Sequence, residues 1–317
     1  MNVIDIRQFE VFDPATGRLN INAFRTNTVL RKDEWKELDL RVVEVARQRL
    51  NGIQDLRAAG LVLSLGGLGT TVSEYEKQSF MEAAEVTMDL EAQTDEDRLE
   101  YTLISLPVPV FQKNFRVSLR VLEASRRLGR SLDTSMAEVA ARLVIEQAET
   151  ALFNGASGIN INGQSVLGYT TESNRNTGTA NGDWGTVANI YTDALSMVAL
   201  SEADNYFGPY TMYVAKTQFG QTRNFVSTDN QLTAAMRVVN GIPTITQIKP
   251  ADVMTDGVVL LVQMTRDVVD MAVAADIQTI EWNPTPFTTM FKVFMCYTPR
   301  PKSNEEAGSG ITHYTGA

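Results

Sequence analysis

The sequence predicts an α+β chain, on three observations. A long amphipathic helix runs from Ser131 to Phe153 and ends at Asn154-Gly155. Apolar alternation recurs at Val86–Leu90, Val268–Ile280 and Phe287–Tyr297. Short, wholly apolar runs such as Val258–Val262 have the length of a strand rather than of a helix.

The helix is the clearest element. Met136, Val139, Ala140, Leu143, Val144, Ala148 and Ala151 follow the spacing that places apolar side chains on one stripe. Met136, Val139, Leu143 and Val144 are expected to form its core. Ile145 and Leu152 lie off that stripe, so more than one side is expected to be buried, as in a central spine.

The elements on either side follow from local signals. Residues 1–30 carry turn residues between short apolar pieces and read as an extended arm. Asp33 caps a helix that reaches Leu50, with Trp35, Leu38, Val42, Val45 and Ala46 on one face and Asn51-Gly52 as its stop. An apolar strand from Leu61 ends in the glycine turn Gly66–Gly69. From Phe80 to Leu106 the pattern alternates. Val86, Met88 and Leu90 share a face, an acidic turn (Asp95, Glu96, Asp97) follows, and Tyr101 and Leu103 return. Two arms of that kind make a ribbon on the order of 40 Å long. A lone two-stranded ribbon is marginal in water. Its apolar face therefore needs a covering, which a neighbouring subunit would supply.

Beyond the spine, residues 154–184 are rich in Asn, Gly, Thr and Ser and read as a long surface loop. Ile159, Ile161, Val166, Leu167 and Tyr169 would anchor it. A helix opens at Asp183 or Trp184 and stops at Gly208-Pro209. Short strands and helices follow at Met212–Ala215, Gln218–Phe225, Leu232–Val239, Ile242–Thr246 and Val258–Met264. In the last alternating strand Phe291, Val293, Met295 and Tyr297 share a face. The tail, Ser303–Ala317, is small and polar and is expected to be flexible.

Composition narrows the function. The chain has 317 residues, 44% hydrophobic and 21% charged, enough to bury a sizeable core. No run approaches the ~18 apolar residues of a membrane span, and Met1–Ile6 lacks the basic start of a secretory signal. One cysteine, Cys296, and one histidine, His313, rule out Cys/His zinc sites, Ser–His triads and Cys–His dyads within one chain. Net charge is −10, and basic residues are mixed with acids except at Arg126, Arg127 and Arg130. A tight nucleic-acid binder carries a basic face, whereas the wall of a container is better served by repelling its contents.

No segment presents an active site. Gly66-Gly67-Leu68-Gly69-Thr70-Thr71 lacks the lysine and the spacing of a phosphate-binding loop, and reads as a structural turn. Asp95, Glu96 and Asp97 read as a solvated hairpin tip. The alternative role for them is an inter-subunit charge pair with Arg126, Arg127 or Arg130. Cys296 reads as a buried inert thiol and His313 as a tail residue. No catalytic, cofactor-binding or metal-binding residue is assigned.

The order of the motifs carries more information than any one of them. An arm, a first helix, an acidic ribbon, a proline-flanked strand (Pro107, Pro109) and a spine helix come first. Then follow Asn154-Gly155, the loop Gly163-Gln164-Ser165-Val166-Leu167-Gly168-Tyr169, and Asn240-Gly241-Ile242-Pro243-Thr244-Ile245. This series resembles the Hong Kong 97-type capsid proteins of tailed double-stranded DNA phages and the related encapsulin shell proteins. The resemblance implies an α+β Hong Kong 97-like fold, divided as follows. Residues 1–30 would be the N-arm, 31–69 an N-terminal helix and strand, and 70–108 the extended loop. Residues 109–155 and 277–302 would form the peripheral domain with its spine helix at 131–154. Residues 156–276 would form the axial domain, and 303–317 the tail.

It also implies a non-enzymatic major capsid protein, assembled in a bacterial host cytoplasm and residing in the virion. Its partners would be further copies of itself, in hexamers and pentamers of an icosahedral shell, with portal, scaffold or decoration proteins. Enclosed DNA would be held without sequence-specific binding, and no membrane is involved. Val86, Met88, Leu90, Tyr101 and Leu103 would make inter-subunit contacts. Some phage shells join a ribbon lysine to an asparagine of a neighbour. Lys77 is read as preceding the ribbon, so that a bond to Asn283 is not expected. Two alternatives stand: an encapsulin-type nanocompartment holding an enzyme cargo, and, from a different class, an α/β enzyme or binding module with a dispersed site.

Overall fold

Long alternating segments near the C-terminus and a capped helix before residue 155 organise the chain. A computed structural model describes residues 38, 40–42, 51–78, 86, 98, 100–118, 120, 124, 127, 134–226, 232–285, 287–304 and 308–317. The chain divides into two units. One takes Met1–Arg49, Val110–Glu146 and Asp276–Met295; the other takes Leu50–Pro109, Gln147–Ala275 and Cys296–Ala317.

In chain order the elements are α1 (Asn51–Ala58), β1 (Val62–Ser64), β2 (Val72–Gln78), β3 (Tyr101–Pro107), β4 (Val110–Ser118) and α2 (Ser135–Asn154). Then come β5 (Ala156–Ile161), β6 (Gln164–Val166), β7 (Asn176–Thr179), α3 (Val187–Ala203), β8 (Tyr210–Val214), α4 (Lys216–Gln221) and α5 (Ala234–Gly241). The last are β9 (Ile245–Pro250), β10 (Val258–Gln263), β11 (Val269–Thr285), β12 (Thr288–Pro301) and β13 (Ile311–Thr315). Among the described residues no helix is long and apolar enough to cross a membrane.

The second unit contains a five-stranded sheet in the order β7-β13-β10-β8-β9. β10 pairs antiparallel with both β13 and β8, while β7 and β9 join the edges in parallel. Both faces of β10 are covered, which explains the unbroken apolar run Val258–Val262. On one face Met212, Val214, Val259 and Leu261 pack with Ile190, Ala194 and Met197 of α3 and Val238 of α5. Trp184, expected to open α3, instead lies buried before it, its indole N–H donating to Asp193 Oδ2 at 2.8 Å.

Three expectations are corrected here. Residues 311–315 are not a flexible tail: β13 is the second strand of this sheet, and Ile311 and Thr312 are fully buried. Asn51-Gly52, expected as a stop, forms the first residues of helix α1. Gly52 is needed there because a Cβ would come within 2.7 Å of Leu152 Cδ2. The region after α2 is no unstructured loop: β5 and β6 form a small hairpin with Gln164 opposite Ile161.

The motif that ends α2 has a physical cause. Gly155 takes φ +70°, and Gly168 packs so closely that a Cβ there would lie 2.3 Å from Gly155 N. The amides of Tyr169 and Thr170 then donate to the Leu152 and Phe153 carbonyls at 3.0 and 2.8 Å, closing the helix end. Tyr169 is buried edge-on against Phe153, ring centroids 5.6 Å apart, and Phe153 meets Tyr213 in the same manner at 5.1 Å.

A second sheet runs β1-β11-β12-β4. β1 pairs in parallel with β11, Val62 opposite Met271. Phe291, Val293, Met295 and Tyr297 of β12 are all buried.

Candidate assembly surfaces

The β2–β3 hairpin is antiparallel, with Val72 opposite Pro107 at one end and Gln78 opposite Tyr101 at the other. The ribbon therefore starts earlier than the sequence suggests, and Lys77 lies inside it opposite Thr102, not before it. Strand alternation gives it two unlike faces. One carries Ser73, Tyr75, Lys77, Ile104 and Leu106. Ser73 and Leu106 are buried, and the Tyr75 hydroxyl is pushed well above its usual pKa, mainly by burial and then by Glu172.

The other face carries Glu74, Glu76, Tyr101 and Leu103. Ser105 Oγ donates to Glu74 Oε1 across the strands at 3.4 Å. Here Tyr101 is 60% exposed and Leu103 56%, flanked by two exposed carboxylates. Val86 is wholly exposed. Met88, Leu90, Asp95, Glu96, Asp97, Arg126 and Arg130 lie outside the described residues, and Arg127 is exposed.

The first unit has an exposed face of its own. On its sheet, Lys292 Nζ donates to Gln112 Oε1 at 2.8 Å and lies 5.9 Å from the Trp282 ring centroid, so these three share one side. Alternation adds Val110 and Arg116 on β4 and Ile280 on β11, all exposed. This side mixes apolar Val110, Ile280 and Trp282 with Gln112, two cations and, by the same alternation on β11, exposed Asp276 and Gln278. On the opposite side Phe115 stacks on Phe291, centroids 5.0 Å apart.

That opposite side borders the first half of α2, where the expected core is corrected. Val144 is buried, but Met136, Val139 and Leu143 are 55%, 46% and 39% exposed. With Phe115 they line a groove of about 260 Å³. The buried positions are instead Ala137, Ala140, Ala141, Val144 and Ile145, because the small residues allow close approach while the long ones lie at the margin. Helical periodicity shows that a stripe is apolar, not what covers it.

Buried charge in the second unit serves structure. Glu149 Oε1 accepts the Gly52 amide at 2.7 Å and so caps the start of α1, while Oε2 has no hydrogen-bond partner among the described residues. Burial pushes its carboxyl up to about 7, against the opposing pull of the Gly52 and Ile53 amides. Asp55 accepts from the Tyr213 hydroxyl at 2.8 Å and pairs with Lys249. Cys296 is buried, which raises its thiol pKa. His313 Nδ1 accepts from Arg175 Nε at 3.1 Å, and burial lowers its pKa. Gly66–Gly69 is a turn that leads into strand β2 rather than into a helix. Among the described residues, no three His, Cys, Asp or Glu side chains are grouped to hold a metal ion.

Known structures share this architecture. A virus-like particle from Pyrococcus furiosus superposes with a TM-score of 0.61 at 16% identity, covering 88% of this chain and 98% of that one. The capsid of the Myoviridae phage XM1 gives 0.64 at 14% identity, covering 84% and 92%. The capsid of a native GTA particle gives 0.61 at 14%, covering 84% and 91%. The chain therefore has the Hong Kong 97-type α+β fold. In sequence it is 25% identical over 194 residues to the type 1 encapsulin shell protein EncA of Myxococcus xanthus, a match spanning 61% of this chain and 63% of that protein. By a match over residues 22–289, the chain belongs to a family of unknown function, DUF6260.

Proposed function

We propose that this chain is a non-enzymatic structural subunit that assembles with copies of itself into a closed icosahedral shell, the capsid of a tailed phage enclosing double-stranded DNA. The observation that carries the reading is the outer face of the β2–β3 hairpin. Tyr101 and Leu103 are exposed between Glu74 and Glu76, while the other face is packed on its own unit. Two neighbouring apolar side chains left open on one face of a ribbon are surface that a partner can cover. A second copy offers a surface of matching chemistry: the Val110, Ile280 and Trp282 side of the sheet, with Lys292 and Arg116. Opposite charges around apolar centres favour one register over others.

In this reading, Met1–Arg49, Val110–Glu146 and Asp276–Met295 act as the peripheral part of the subunit, and the five-stranded sheet as its axial part. Many such contacts engaged at once hold a shell without any bond that is individually strong. The acidic chain, at −10, encloses DNA without gripping it. Its place is the virion, after assembly in a bacterial cytoplasm, with portal, scaffold or decoration proteins as further partners.

The match to an encapsulin favours a second reading, a nanocompartment around an enzyme cargo. Size-exclusion chromatography tests the common claim, since a shell elutes at megadaltons and a soluble module as a small species. Nuclease-protected DNA in purified particles supports the phage reading. A stoichiometric protein cargo in place of DNA supports the encapsulin reading.

A further inference from the structure

The packed face of the hairpin is held by a chain of polar contacts at its root. Arg300 forks onto Asp270, Nε to Oδ1 at 2.6 Å and Nη2 to Oδ2 at 2.7 Å, with both side chains almost fully buried. Lys302 Nζ donates to Asp270 Oδ2 at 2.8 Å and to the Arg266 carbonyl at 2.7 Å. The remaining Arg300 nitrogen, Nη1, reaches Ser73 Oγ and the Glu74 carbonyl, each at 3.5 Å, and the guanidinium lies 5.8 Å from the Tyr75 ring centroid. Two residues further out on β2, Lys77 Nζ donates to Ser303 Oγ at 2.9 Å. Ser303 also accepts from Asn174 Nδ2 at 3.0 Å and donates to the buried Glu172 carboxylate at 3.0 Å.

These contacts share one geometry. Four positions on β2, namely Ser73, Glu74, Tyr75 and Lys77, are met by two residues three apart, Arg300 and Ser303. The bidentate fork onto Asp270 fixes the plane of the guanidinium, which leaves Nη1 aimed at Ser73 and the Glu74 carbonyl of β2. A two-stranded ribbon, marginal alone in water, gains from such a grip both a settled ladder and a single direction of exit.

We propose that Arg300 and Ser303 form a root clamp that sets the direction in which the β2–β3 hairpin leaves its subunit, and with it the angle at which neighbouring subunits meet. This deepens the shell reading and rests on it. With Arg300 at Ser73 as the pivot and Ser303 holding the far end at Lys77, seven paired residues at about 3.3 Å each give a lever of roughly 23 Å. A rotation of about 10° at the root moves its outer end by roughly 4 Å, whereas a gap of 0.5–1 Å already forfeits a quarter to a half of a van der Waals contact. Arg300 and Ser303 are positioning residues; neither belongs to the surface that meets the neighbour.

The test uses the full-length chain with Ser303→Ala and Arg300→Lys. Ser303→Ala removes the Lys77 and Asn174 acceptor without touching the buried ion pair, so it remains informative if Arg300→Lys fails to fold. Two readouts apply: amide hydrogen exchange over residues 72–78 in unassembled protein, and particle diameter by electron microscopy. The expected result is at least tenfold faster exchange near Lys77 with unchanged circular dichroism, and particles of mixed diameter or open sheets in place of one size. Wild-type exchange in Ser303→Ala overturns the clamp, as do uniform particles of wild-type diameter. Should wild-type protein form no particles at all, the shell reading fails, and the exchange readout still decides whether the clamp exists.

Discussion

In strand β10, Val259, Leu260, Leu261 and Val262 are all completely buried, whereas in the hairpin Tyr101 and Leu103 leave more than half of their surface to solvent. Both segments are rich in residues suited to strands. The sheet meets α3 and α5 on one face and is saturated within a single chain. The hairpin is packed on one face only. The contrast separates surface that folds the subunit from surface left open, which the proposed shell would cover with a second copy. It also separates two kinds of mutation, those that unfold the chain and those that leave it folded but solitary.

Substitutions can break or sharpen that contrast. The largest loss of subunit stability is expected in the saturated sheet. Leu261→Ala should cost about 2–5 kcal/mol in chemical denaturation, as the lost transfer energy adds to a cavity. Gly168→Ala comes next, at about 1–3 kcal/mol or more, because the new methyl meets backbone at 2.3 Å and neither strand of that loop can retreat without opening the α2 terminus.

Glu149→Gln should act in the opposite direction, and only over part of the pH range. The native carboxyl titrates near 7 against an ordinary value of 4.5. Below 4.5 both folded and unfolded chains are protonated and the group costs nothing. As pH rises from 4.5 to 7 the unfolded chain ionises first, so stability falls. Above 7 the full penalty, on the order of 3 kcal/mol, is in place. The glutamine variant should match wild type at pH 4.5 and exceed it at pH 8 in melting temperature. Equal slopes of melting temperature against pH in the two proteins contradict the assignment.

The smallest effect on the subunit is expected at the hairpin. Leu103→Asp should cost the subunit no more than about 1 kcal/mol, since it replaces an exposed side chain but sets a carboxylate opposite Glu76. The same change should abolish megadalton particles in size-exclusion chromatography. Normal particle yield from this variant removes the hairpin from the assembly surface.

How much of this is legible in sequence depends on whether the cause is local. The spine helix, the strands at 258–263, 269–285 and 288–301, and the glycine-bounded end of α2 all follow from short-range period and turn chemistry. Helix α1 does not, because its N-terminus is capped by Glu149, 97 residues away, and Asn51-Gly52 alone reads as a stop. Strand β13 is hidden by small polar neighbours, although Ile311, Thr312, Tyr314 and Thr315 carry the β-branched and aromatic density of a strand. Met136, Val139 and Leu143 show the further limit. Their spacing announces an apolar stripe, and nothing in it says whether the same chain or another one lies against it.

The central claim concerns the outer face of the hairpin, and hydroxyl-radical footprinting of Tyr101 tests it most directly. Particles and dissociated subunits of the same preparation are oxidised side by side, with Tyr206 as a reference side chain outside the hairpin. The account expects Tyr101 to be modified readily in the subunit and to be protected severalfold in the particle. Equal modification of Tyr101 in both states contradicts it.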